Sequence, residues 1–82
     1  MAKSLHIFLD KSEKGWFKFT VEYMKTVVDF EGNSEELSKF LGAFSVEMSD
    51  RILITLEKLC RENGDLFSSN CVAVLRTKRA VF

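Results

Sequence analysis

The chain has 82 residues, 46% of them apolar, and its twelve basic and twelve acidic side chains cancel to no net charge. A chain this short makes one domain that hides about 60–65% of its unfolded surface, so its core holds a thin margin over conformational entropy and association would add to it. The charge balance excludes a global field that draws the protein to nucleic acid or an anionic membrane, and no apolar run approaches the ~20 residues of a membrane-spanning helix.

Proline is absent, and Gly15, Gly32 and Gly64 mark the natural break points, with Gly42 the fourth glycine. The first residues carry no signal-peptide pattern, so the expected compartment is the cytoplasm, or the nucleus in a eukaryote. Leu5 to Leu9 is a short run of β-formers, and Gly15 suits the four- or five-residue loop of a hairpin. In Trp16 to Tyr23 the apolar Phe17, Phe19, Val21 and Tyr23 alternate with Lys18, Thr20 and Glu22, the period of a half-buried strand. The alternation fails after Met24, where a bulge at Met24-Lys25 would reset the register. A competing helical reading places Lys11, Lys14, Lys18, Glu22, Lys25 and Asp29 within an arc of about 80° on a wheel, but the stretch is poor in helix formers.

Glu31-Gly32-Asn33 reads as a turn. Asn33 with Glu36 gives a capping box ahead of a helix that carries Leu37, Phe40, Leu41 and Phe44 on one face. The most legible helix follows, with Ser49 as its cap, Asp50 at the positive end of its dipole, Arg61 near the negative end and Gly64 as its stop. Ile52, Leu53, Leu56, Leu59 and Cys60 share one side, while Glu57 and Arg61 form an i,i+4 pair on the other, where Ile54 is the one apolar misfit. Cys71 to Leu75 is a continuous apolar run that fits a strand buried on both faces, or a helix capped by Asn70.

The expected fold is therefore α+β, a single domain over 1–82, with strands near 4–10, 16–30 (bulged or broken near Met24) and 71–78 and helices near 34–44 and 49–63. An N-terminal hairpin and a C-terminal strand make a small antiparallel sheet against a central αα-hairpin. The alternative is an all-α chain of four to five helices.

Chemistry is sparse. His6 is the single histidine and sits in an apolar run, Glu35 and Glu36 are explained by the helix end they precede, and no Walker or dinucleotide pattern occurs. Cys60 and Cys71 lack the pairing of a zinc site or a disulfide framework and read as reduced, buried thiols. No catalytic residue, cofactor or metal is expected, nor any small-molecule substrate. Two classes of binding remain. The first is a protein-interaction module, an inhibitor, adaptor or homodimerising accessory protein of the kind viruses and phages encode. Its anchor would be Ile54, its rim Glu57, Lys58 and Arg61, and its second contact the apolar Val81 and Phe82. The alternative is nucleic-acid binding, with Trp16, Phe17 and Phe19 as a stacking face and Arg76, Lys78 and Arg79 as a basic cluster.

Overall fold

The computed structural model describes residues 4–80 and places three strands ahead of three helices. Strands β1 (Leu5–Glu13), β2 (Trp16–Tyr23) and β3 (Thr26–Asn33) form one antiparallel sheet in chain order. β1 and β2 meet at a two-residue turn in which Lys14 has φ 50° and Gly15 φ 81°. Positive φ at both central residues gives the hairpin a twist that matches its strands, and glycine adopts it without a Cβ penalty. The loop expected here is thus shorter than the sequence suggests, and the strands are longer.

A bulge does occur, but in β1. Leu9 pairs with Phe19 and Lys11 with Lys18, so Asp10 is the extra residue. Its effect is to keep Leu9 and Ser12 on the same side as their partners Phe19 and Phe17, which a regular ladder would not allow. At Met24, φ 57° makes Met24-Lys25 a turn between the paired Tyr23 and Thr26. Of the two expectations for 16–30, a bulge or a break near Met24, the structure has the break: the segment is two strands, and the third strand of the sheet comes from its second half. Lys25 never has to point inward, and Val28, Phe30 and Gly32 take the inner face opposite Val21, Phe19 and Phe17. Phe17, Phe19 and Val21 are at most 1% exposed. Full burial of each such side chain contributes about 1.5–3 kcal/mol.

Helices α1 (Ser34–Leu41), α2 (Val46–Glu62) and α3 (Leu66–Ala80) cover that face. The capping box at α1 is present as the sequence implies, with Glu36 N–H donating to Asn33 Oδ1 at 2.9 Å and Asn33 N–H to Glu36 Oε1 at 3.1 Å. Leu37 and Leu41 are buried, and Phe40 joins Phe19, Phe30 and Phe44 in an aromatic cluster with ring centroids 5.0–6.0 Å apart. α2 starts one turn earlier than expected. Its cap is Ser45, whose Oγ accepts from Met48 N–H, and Ser49 lies inside the helix, where its hydroxyl donates to the Leu41 carbonyl at 2.9 Å. Both serines satisfy the local cap geometry by type, and packing against α1 decides between them. α2 ends in a Schellman motif, with Asp65 N–H bonded to Cys60 O, Gly64 N–H to Arg61 O, and Gly64 at φ 81°.

The largest correction concerns the C-terminus. Residues 71–78 are helix within α3 and not a strand, so the sheet owes nothing to the C-terminal segment. The α+β class stands and the all-α alternative does not. The cause is local: the Schellman stop turns the chain back after three residues, and Asp65 caps the new helix, accepting from Ser68 N–H at its Oδ1 (2.9 Å) and from Ser69 N–H at its carbonyl. α3 packs mainly on α2 and touches α1 and β1.

Candidate functional site

The residues singled out from sequence do not converge. Ile54 is 48% exposed on the outer side of α2, as expected. Its proposed rim is occupied, because Glu57 accepts from Arg61 Nη2 at 3.0 Å and from Arg76 Nη2 at 2.9 Å. Lys58 is exposed beside them. Val81 and Phe82 lie outside the described residues.

The nucleic-acid alternative also comes apart. Phe17 and Phe19 are core residues, while Trp16 alternates onto the opposite, solvent face of the sheet, so no three-ring platform exists. Arg76 is tied to Glu57, which leaves Lys78 exposed and Arg79 half-buried near the end of α3. The solvent face itself carries a shallow, net acidic concavity of about 600 Å³, in which Lys18 Nζ lies 3.4 Å from Asp10 and Thr20 Oγ1 donates to Asp29 at 2.7 Å, with Glu31 beside them. It offers water-exposed polar groups and no unsatisfied one.

By sequence, a strand is preferred to α3, and the helical alternative has its cap at Asn70 where the structure has Asp65. The inner side of α3 is mostly small and mixes two serines with apolar residues: Ser68, Ser69 and Val72 are buried and Leu75 packs against the core, Ser69 Oγ donates to the Glu57 carbonyl at 3.0 Å, and Ser68 Oγ accepts from Gly15 N–H at 2.9 Å. Its outer side is large and apolar, with Leu66, Phe67 and Val74 exposed at 62%, 64% and 55%. Phe67, Cys71, Val74 and Lys78 recur at i, i+4, i+7 and i+11, one continuous stripe. With Leu75, and with Ser34 from the start of α1, they line a mainly apolar groove of about 390 Å³. The signal was available as helical spacing, but reading Cys71 to Leu75 as a strand removed the period that reveals it.

Under the β1–β2 turn, the junction of α2 and α3 buries several polar groups. Burial pushes the Cys60 thiol up from its ordinary value, helped by the charges of Asp65 and Cys71 and opposed by Ser12, so the thiol stays protonated and unreactive at neutral pH. Burial also works to raise the Asp65 carboxyl, but contacts from Ser68 and Ser12 outweigh it and hold the group below its ordinary value. Ser12 Oγ and Asp65 Oδ2 nevertheless complete no hydrogen bond. Among the described residues, no cluster of three or more His, Cys, Asp or Glu side chains is placed to hold a metal, and no helix is long and apolar enough to cross a membrane.

No family model, curated protein or solved structure matches this chain.

Proposed function

We propose that this protein is a non-enzymatic interaction module that works by docking another polypeptide on the outer side of α3. One observation carries the reading: Phe67 and Val74 are more than half exposed on a continuous apolar stripe, on a helix that turns its serines to the core. Single exposed apolar residues such as Ile54 are ordinary, whereas a contiguous stripe beside a groove marks association. The thin core of a small domain supports the same reading, since a bound partner adds to stability by mass action. A reducing compartment such as the cytoplasm fits the two free cysteines.

The test compares assembly of wild type, the double variant Phe67→Ser/Val74→Ser and Ile54→Asp, by light scattering and by co-purification from cells that make the protein. Loss of about tenfold or more of the association in the double variant is expected, equivalent to about 1.4 kcal/mol, with Ile54→Asp unchanged. Identical mass and identical partners for the double variant would overturn the reading.

A further inference from the structure

The groove on α3 has a sign as well as a shape. α3 contains no Asp or Glu from Leu66 to Ala80, and its Arg76 is spent on Glu57 of α2. Lys78 stands exposed at one end of the stripe. At the other end is the β1–β2 turn, where a Cβ on Gly15 would come within 3.6 Å of both Phe67 and Cys71, and the adjoining Lys14 is exposed. Neither Lys14 nor Lys78 has an ionic partner among the described residues. The outward sheet face carries Asp10, Glu13, Glu22, Asp29 and Glu31 against Lys11 and Lys18, so acids outnumber bases there, the opposite of α3. The exposed acids nearest in the chain to the groove are Glu35 and Glu36, which follow Ser34, and Glu13, which precedes Lys14; Glu36 is engaged in the capping box and Glu13 with Lys11.

Resting on the interaction reading, we infer that the occupant of this groove is an acidic amphipathic helix of another protein. Its apolar stripe seats against Phe67 and Val74, and carboxylates toward its two ends meet Lys14 and Lys78. The wall is helical and presents side chains, not free backbone groups, so an occupant must satisfy its own backbone hydrogen bonds, which a helix does and an extended segment does not. From Phe67 to Lys78 the stripe runs for about 16 Å, or three turns of a facing helix. A second copy docked through the same stripe would bring cations against cations, which disfavours it. Two separated lysines around an apolar centre make a poor phosphate track, and a lipid surface cannot enter a groove between α1 and α3.

Three fluorescein-labelled synthetic peptides of about four turns test this, each with the same leucine stripe at i, i+4, i+7 and i+11 and with flanking positions all Glu, all Gln or all Lys. In anisotropy titrations the Glu peptide should bind about tenfold or more tighter than the Lys peptide, with Gln between and the spread shrinking as salt rises. The double variant Lys14→Glu/Lys78→Glu, checked for native circular dichroism, should reverse the order, and Phe67→Ser should weaken all three peptides. Equal affinities, preference for the Lys peptide, or no binding by any peptide at the highest attainable protein concentration overturns the acidic-helix inference. So does a dimer of the protein alone that Phe67→Ser dissociates, or retention on phosphatidylserine vesicles that Lys78→Glu abolishes. The dimer result leaves the interaction reading standing with a second copy as occupant. If Phe67→Ser changes nothing in any arm, the interaction reading falls as well.

Discussion

α2 and α3 have similar lengths, seventeen and fifteen residues, and pack against each other, yet they distribute their side chains in opposite ways. α2 turns Met48, Ile52, Leu53, Leu56 and Cys60 inward and shows solvent a charged side. α3 turns Ser68, Ser69 and Val72 inward and shows solvent Leu66, Phe67 and Val74. Small inner residues bring the two helix backbones close, and hydroxyls find partners on α2 and the β1–β2 turn. The helix that supplies most of the helical core and the helix that offers a surface are thus separate elements, the second docked through Val72, Cys71 and Leu75 together with the hydrogen bonds of its serines.

The sharpest way to break this comparison is to place one charge on each helix. Leu56→Asp buries a carboxylate in the core at a cost of about 4–5 kcal/mol or more, comparable with the whole stability of a small domain, so far-UV circular dichroism should show an unfolded chain. Val74→Asp should leave the spectrum native and shift Tm by no more than about 2–3 °C. If Val74→Asp also unfolds the protein, α3 has no free side.

Ser68→Ala tests whether hydrogen bonds dock α3. It strands the buried Gly15 N–H at a cost of about 1–2 kcal/mol, which lowers Tm by about 4–8 °C per kcal/mol in a domain of this size. Less is expected of Glu57→Gln. It removes the charge that links Arg61 on α2 to Arg76 on α3, and urea melts should register about 1 kcal/mol, weakening as salt rises.

The smallest effect concerns Asp65. Asparagine also caps helices, so Asp65→Asn isolates the charge at the start of α3, where an anion contributes about 0.3–1 kcal/mol. Because the folded carboxyl sits below its ordinary value of 3.8, its stabilisation is fully present above that pH and is lost as pH falls through the lower folded value. Melts at neutral pH should separate the two proteins, and the gap should close in acid below 3.8.

The α+β class, the β2 alternation, the Asn33–Glu36 box and the Gly64 stop were legible because each is written in neighbouring residues. What was not legible depended on residues outside the stretch being read, some a few positions away and some in another element. Cys71 to Leu75 satisfies a strand and a helix equally by local propensity, and only the turn at Gly64 with the cap at Asp65 selects the helix. Ser45 and Ser49 are equivalent caps until the Leu41 carbonyl claims Ser49. Ile54 was visible as a misfit on a regular helix, whereas Phe67 and Val74 could not stand out before their helix was recognised.

The Gly15–Ser68 hydrogen bond joins positions 53 apart, while the strand ladders and the helix connections are local. During synthesis, the meander is complete in sequence once Asn33 has emerged and the α2 backbone once Glu62 has, but Ser68 comes later. Docking of α3 onto α2 and the β1–β2 turn joins the two ends of the described chain, and its reversal is the partial opening we expect to find first. The groove exists only in the closed form, because Ser34 and Gly15 meet α3 there. Whatever occupies it draws free energy from the same equilibrium that latches the last helix, so occupancy will be recorded in the lifetime of that latch, as slowed amide exchange along α3.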